Sequence, residues 1–353
     1  MLDVGQGDAL LFITPAGRAV LYDGGPSDRR ALEHLEALGV DSLELVIASH
    51  PHRDHIGGLG RVIRTHPPRH LLDSGVSHTT LTYERYLEAI AEAGVPLTVA
   101  ESQTLSIDGV ELEVLPPSPN PSWTLNDRSV GVVARWGEVT VTLGGDAERA
   151  QWEWWLEESV VPEGPVQIHK ASHHASRNGD TGPAIRRLRP RIVLAGVGAG
   201  NTFGHPHAEA LELYAEVDAR VYRTDLHGTI TVVAWEDGQT RVRLERGAAE
   251  WEADPGVAPD PEEDRDPEVE EPPHDPADRE PSPDDPEPAC VELNRASAME
   301  LARIVHIGEA RARLIIELRE ERPFTSVGDL ARVPGIGPAR VRDIVAEGLA
   351  CVK

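Results

Sequence analysis

The sequence predicts an α/β chain in three parts: a layered α/β sandwich, a disordered acidic linker, and a small all-α domain. Three observations predict this. Over residues 1–249, short β-branched runs alternate with amphipathic helical stretches, the pattern of sheets covered by helices. Residues 250–289 hold 17 Asp or Glu and 2 Arg among many prolines, so they cannot bury enough apolar surface to offset their chain entropy. Residues 290–353 read as short helices joined by Gly-containing turns.

Taken in order, Ala9–Thr14 and Arg18–Asp23 are expected to form a hairpin turning at Pro15-Ala16-Gly17. Ser27–Leu38 is expected as a helix with Ser27 as N-cap, Leu43–Ser49 as a buried strand, and Gly57–Thr65 as the next helix. An amphipathic helix is expected at Thr82–Ala93, then strands at Leu97–Val99, Leu112–Leu115, Val130–Trp136 and Val139–Leu143. The last expected strands of this part are Gln167–Ala171, Ile192–Ala195, Arg220–Arg223 and Ile230–Ala234. After the linker, helices are expected at Ser297–Val305, Glu309–Glu320, Ser326–Arg332 and Pro338–Glu347, a weak repeat of one helix–turn–helix unit.

The formal charge of −26 argues against a polyanionic partner until it is divided by segment. Residues 250–289 carry −15, residues 1–249 carry −12, and residues 290–353 carry +1. The last segment is therefore free of the repulsion that the whole chain suggests. No run of about 18 apolar residues occurs, so no membrane span is expected. No basic region followed by an apolar stretch opens the chain, so no signal peptide is visible.

The chemistry concentrates in His50-Pro51-His52-Arg53-Asp54-His55, directly after the expected strand Leu43–Ser49. Four metal-competent side chains within six residues at a strand end can converge on one pocket, and imidazoles with a carboxylate suit zinc, manganese or iron. Of 15 histidines, 8 fall in three clusters, at 50/52/55, 169/173/174 and 205/207. Satisfied core or surface histidines have no reason to bunch in this way.

These residues match the H-x-H-x-D-H signature of the metallo-β-lactamase superfamily. Leu2-Asp3-Val4-Gly5-Gln6-Gly7-Asp8-Ala9 resembles the opening of the soluble domain of ComEC competence proteins, as do Leu143-Gly144-Gly145-Asp146-Ala147-Glu148, His173-His174-Ala175-Ser176 and Gly204-His205-Pro206-His207. The string Arg223-Thr224-Asp225-Leu226-His227-Gly228 is similar as well, and the resemblance covers about residues 1–240. It implies a four-layer αββα sandwich holding two divalent metal ions, zinc or manganese. His50 and His52 would hold the first ion, Asp54 and His55 the second, with Asp146 bridging and His173 completing the second site. Asp23 would orient a ligand loop. Activation of a shared water to hydroxide would then serve in-line attack on a phosphodiester. Asp54, His174 and His205 are the catalytic candidates. His174 would bind the scissile phosphate, and His205 would contact phosphate or protonate the leaving oxygen. Lys170 and Asp225 are further candidates around the pocket, whereas His207 and His227 read as structural, and Asp3 and Asp8 are expected to pack beneath the site.

Two departures from the superfamily pattern stand out. Where many members have a third histidine for the first metal, about twenty residues before the bridging Asp, this chain has Asn126-Asp127-Arg128-Ser129. An amide or carboxylate there favours manganese, which accepts more oxygen ligands. Ala175 stands where the family usually has Gly.

Residues 290–350 resemble the helix-hairpin-helix domain of ComEA competence proteins through Leu293-Asn294-Arg295-Ala296, Ile307-Gly308, Arg322-Pro323-Phe324 and Val333-Pro334-Gly335-Ile336-Gly337. The resemblance implies DNA contact through backbone phosphates, without sequence specificity, at Ile307, Gly308, Gly335, Ile336, Gly337 and Arg340. Cys290 and Cys351, the two cysteines of the chain, bracket this domain and suggest a disulfide and an exported or extracellular setting. The resemblance adds to this, because the chain begins partway through what relatives have as a longer first strand. The pairing of domains implies a metal-dependent phosphodiesterase or nuclease acting on DNA, in DNA uptake or extracellular DNA processing. The alternatives are a hydrolase of a small phosphodiester or ester whose C-terminal domain makes protein contacts, and a non-catalytic DNA-binding scaffold.

Overall fold

The unbroken apolar run Leu45-Val46-Ile47-Ala48 forms a strand buried on both faces, and this strand shows how the first unit is layered. Leu45 and Ile47 face a core shared between two sheets, whereas Val46 and Ala48 face a core shared with helices. Side chains alternate across a strand, so both layers are specified by one run of four residues. The computed structural model describes residues 1–247 and 252–253, residues 290–296, and a discontinuous set between 298 and 352. It divides into two compact units, Met1–Asp264 and Arg265–Lys353.

The first sheet comprises β1 (Leu10–Ile13), β2 (Ala19–Tyr22), β3 (Leu45–Ala48), β4 (His70–Asp73) and β5 (Leu97–Val99) in that spatial order. β1 and β2 are antiparallel, and the remaining pairs are parallel. Parallel neighbours need helical crossovers. These are α1 (Arg30–Ala37), the pair α2 (Arg53–Ile56) and α3 (Leu59–Thr65), and α4 (Leu81–Ala93). Thr80 caps α4, its hydroxyl accepting from Tyr83 N, and Gly94 ends it in the left-handed conformation at φ 64°. Ser27 does not cap α1 as expected. Its hydroxyl accepts from Arg29 N at 3.3 Å inside the preceding turn, and the helix starts three residues later.

The second sheet runs in spatial order from β12 (Arg220–Arg223) through β11 (Ile192–Ala195), β10 (Ile168–Lys170), β9 (Val139–Leu143), β8 (Gly131–Trp136) and β7 (Val110–Leu115) to β6 (Gln103–Ile107). Its outer face is covered by α5 (Arg149–Glu157), α6 (Gly182–Leu188) and α7 (Ala208–Ala215). Val132 and Ala134 point to the inter-sheet core, and Val133 points to Trp152 and Trp155 of α5. Helix, sheet, sheet, helix is the four-layer order the resemblance implies. Ile230–Ala234 and Thr240–Leu244 add a hairpin, tied to the N-terminus because Met1 N donates to Ile230 O and Ile230 N to Met1 O.

In the second unit, Leu293, Ile304, Ile315, Phe324, Leu330 and Ile344 belong to one buried cluster. Asn294 splices two segments, donating to Phe324 O at 2.9 Å and accepting from Phe324 N at 2.7 Å. Val291–Glu292 and Ala350–Cys351 pair as short parallel strands, an addition to the all-α expectation. Beside them Cys290 and Cys351 are bonded, with Cα atoms 5.8 Å apart. Val327–Arg332 is a 3₁₀ helix where an α-helix was expected. The expected linker over residues 250–289 lies outside the described residues apart from Glu252–Ala253.

Candidate metal centre

Three loops are laced together where the parallel strands of the first sheet end. Asp8 N donates to Asp54 O, Gly24 N to His55 O, and Gly25 N to Asp8 O. Two crossings admit only glycine. A Cβ on Gly7, at φ +149°, would lie 2.3 Å from Asp54 O, and one on Gly58 would lie 2.1 Å from Gly24 O. This lacing lets α2 begin immediately after His52, whose backbone is extended at φ −76° and ψ 150°. The loop after β9 brings Asp146, and the loop after β10 brings His173 and His174.

Asp146 Oδ2 is the common neighbour. It lies 3.1 Å from His55 Nε2, 3.5 Å from His174 Nε2, 3.8 Å from His50 Nε2 and 4.0 Å from His173 Nε2. His50 Nε2 in turn sits 2.9 Å from His52 Nδ1. Asp54 Oδ2 is 3.2 Å from His174 Nε2 and 3.8 Å from His55 Nε2. The expected ligands His50, His52, Asp54, His55 and Asp146 are therefore brought together.

His174 takes the place expected of His173. His174, expected to hold phosphate, meets both Asp54 and Asp146. His173, expected to complete the second site, pairs through Nδ1 with Glu148 Oε1 at 3.0 Å. The backbone explains the change: His173, His174 and Ala175 occupy the left-handed region at φ 50°, 56° and 59°, which turns successive side chains in different directions. The usual Gly at the Ala175 position suits that conformation.

Asp8 is a member of the buried cluster that residue spacing did not reveal. Asp8 Oδ1 lies 3.3 Å from His174 Nδ1, the ring nitrogen opposite the one that meets Asp54 and Asp146. Its other oxygen pairs with Lys170, which donates to Gly145 O and stands 3.7 Å from Asp146 Oδ1. Asp54 faces the nitrogens that converge, so it is the better ligand; Asp8 orients His174, and Lys170 balances the buried carboxylates. Asp23, fully buried, accepts from Ser49 N and Ser49 Oγ and holds His55 Nδ1 at 2.8 Å. That contact aims His55 Nε2 at Asp146. Asp23→Asn should accordingly weaken metal affinity about 10–100-fold with little change in fold, as read by competition with a chelating dye. Unchanged affinity would show that the loop alone orients His55.

The remaining candidates are placed differently. Asn126 Nδ2 donates to Glu148 Oε1 at 3.2 Å and lies 3.5 Å from His173 Nδ1. Asp127 is not turned toward the cluster. Its Oδ1 accepts from Glu148 N and Gln151 N and its Oδ2 from Thr124 Oγ1, so it anchors the start of α5. The oxygen ligand expected of Asp127 is thus committed elsewhere. Asp225 is held by both nitrogens of a fork from Arg223, at 2.6 and 3.0 Å, rather than facing a pocket. His205 stands with ring centroids 5.6 Å from His173 and 6.0 Å from His174. Gln6 Oε1 accepts from Gly198 N, which turns Gln6 Nε2 toward His205 Nδ1 at 3.4 Å. His207 Nδ1 accepts from Arg177 N and His227 Nδ1 from Arg223 N, both structural contacts.

The donor chemistry fits divalent metal ions. His55 Nε2, beside Asp146 and Asp54, is buried without a hydrogen-bond partner, an expensive arrangement unless a cation satisfies it. Burial alone would lower the histidine pKa values, yet Asp146 and Asp8 outweigh it and hold His174 up to about 10. Asp146, Asp23 and Asp54 likewise raise His55 against its burial. The pocket is built for positive charge, and ligation by neutral imidazole would release protons.

In the second unit, the side chains of Ile307 and Ile336 are buried in the core, so any contact they make with a phosphate is through the backbone. Arg340 is exposed. Gly308, Gly335 and Gly337 lie outside the described residues.

Residues 289–346 match the helix-hairpin-helix motif. ComE operon protein 3 of Bacillus subtilis (strain 168) is 27% identical over 251 residues, covering 65% of this chain and 32% of that protein. A protein named deoxyribonuclease from Thioalkalivibrio sp. (strain K90mix) is 46% identical over 69 residues, 20% of this chain and 18% of that one. The metallo-beta-lactamase fold protein YhfI from Bacillus subtilis aligns with a TM-score of 0.43 at 13% identity, over 62% of this chain and 88% of that one. The chain spans about a third of the length of the competence relatives it matches. Joined to the helix-hairpin-helix motif is a domain whose residues 2–197 match the metallo-beta-lactamase superfamily, and the chain belongs to that superfamily.

Proposed function

We propose that this protein is a metal-dependent phosphodiesterase acting on DNA. The observation that carries the reading is the pairing, in one chain, of a buried His/Asp cluster with a helix-hairpin-helix motif. The first suits hydrolysis of a phosphate ester, and the second suits backbone contact with nucleic acid irrespective of sequence. The matches to competence proteins and to a protein named deoxyribonuclease support it. Such a chain suits DNA uptake or the processing of extracellular DNA, and the Cys290–Cys351 pairing fits an oxidising compartment.

Two divalent cations, zinc or manganese, are the proposed cofactors, and the chemistry they supply is Lewis acidity toward a phosphoryl oxygen and activation of water at neutral pH. His55, His174, Asp54 and Asp146 would hold one, and His50, His52 and His173 with Asp146 the other. With His173 available, the group around His50 and His52 does not depend on Asp127. Ser49 Oγ at 3.0 Å and Ser129 Oγ at 3.4 Å position His50 Nδ1, keeping Nε2 directed at the cluster. Gln6 donates to His205 Nδ1, which leaves the ring proton on Nε2, available for a phosphate oxygen or a leaving group. Plasmid, linear duplex and single-stranded DNA incubated with protein reconstituted with manganese, zinc or magnesium test the proposal. Cleavage of at least one DNA that is lost on chelation and restored by a metal is expected. Hydrolysis of only small diesters, with intact DNA in every arm, would reject it.

A further inference from the structure

We propose that the groove between α2, α3, α4 and the start of α1 binds the sugar–phosphate backbone of DNA and leads it toward the metal centre. This rests on the phosphodiesterase reading above and extends it to a surface outside the ligand cluster. The groove has a volume of about 950 Å³, and its lining includes Arg30, Arg53, Arg61, Arg64 and Arg85 against a single acid, Asp28. All five arginines are exposed.

The local folding explains how these charges gather. Arg61 and Arg64 lie three residues apart on α3 and share one face. Arg85 comes from α4, which approaches α3 so closely at Gly60 that a Cβ there would lie 3.4 Å from Arg85 O. Arg30 opens α1. Arg53 stands between His52 and Asp54 in sequence, so the groove begins on the helix that carries Asp54 and His55.

Two of the guanidinium groups are engaged, Arg64 with Glu92 at 2.5 Å and Arg30 with Asp3 at 3.9 Å. Among the described residues, the guanidinium groups of Arg53, Arg61 and Arg85 make no ion pair or hydrogen bond. The choice of Arg carries no weight in a chain with only 2 Lys; the placement does. Residues 1–249 are acidic at −12, and five positive charges in one groove depart sharply from that average. Like charges so placed repel one another until an anion sits among them. A single phosphate would engage one or two of them. Charges spread over four helices match the repeated phosphates of a polymer, where each contact releases a counterion.

The test uses the full-length, metal-loaded protein and fluorescently labelled phosphorothioate DNA, single-stranded and duplex, with anisotropy read across a salt series. Arg61→Ala/Arg85→Ala should bind about tenfold or more weakly than the unaltered protein, with a salt slope on duplex smaller by about 2. The control Arg149→Ala/Arg243→Ala removes the same charge outside the groove and should stay within about twofold. Equal behaviour of the two double variants would overturn the groove. Because the readout is binding, DNA held through these arginines by a protein that cleaves none would count against the phosphodiesterase reading alone. Cleavage by a protein whose affinity ignores them would count against the groove alone.

Discussion

Asp146→Ala is expected to lower DNA hydrolysis by at least about 10³-fold, corresponding to roughly 4 kcal/mol of lost transition-state stabilisation. The reason is its position. Four imidazole nitrogens lie between 3.1 and 4.0 Å of Asp146 Oδ2, so its loss removes the group both halves of the cluster share. The fold should survive, because the Asp146 backbone N–H donates to Ser129 Oγ and keeps the loop in place. His52→Ala provides the matching case at the rim: half-buried and close to His50 Nε2, it should cost one metal and most of the activity. Metal content by elemental analysis, plasmid cleavage and a thermal melt read the three quantities together. A variant that lost metal yet turned over normally would sink the assignment, and one that lost activity through unfolding would show in the melt.

The parts of this molecule that the sequence makes legible are those where residue type and spacing act locally. Leu45–Ala48 reads as a doubly buried strand because every position is apolar, and the His-rich loop reads as a metal loop because its ligands follow within six residues. The part played by Asp8 is not local: it depends on a backbone crossing with Asp54 and on Lys170, far along the chain. The placement of His174 where His173 was expected depends on three consecutive left-handed residues, which no spacing rule encodes. Asp127 looked like a ligand because it is an acid near the expected position, but helix starts also select acids. The hairpin of β6 and β7 has its local signal in the turn Asp108-Gly109, at φ 51° and 80°, rather than in the periodicity of its strands. Net charge misled most. Averaging −12 over the first 249 residues conceals a groove in which five arginines face one carboxylate.

That groove sharpens what removal of the C-terminal part should do. Residues 250–289 have the composition of an extended tether, and about forty residues of flexible chain would reach roughly 35 Å, more where Pro and like charges stiffen it. A helix-hairpin-helix module on such a tether would raise the effective concentration of DNA at the first unit without fixing its register. Deleting residues 254–353 should then raise the DNA concentration needed for half-maximal cleavage by about 10–100-fold, while turnover at saturating DNA stays within about twofold. The residual affinity should come from the groove. Arg61→Ala/Arg85→Ala made in the truncated chain should therefore weaken binding again by about the same factor as in the full chain, since independent sites add. The advantage of the full chain should shrink as salt rises, because its phosphate contacts release counterions. Steady-state cleavage of one linear DNA by the four proteins, at two salt concentrations, decides it. If truncation instead abolished turnover at saturation, the second unit would contribute to the active site itself and the tether would be the wrong description.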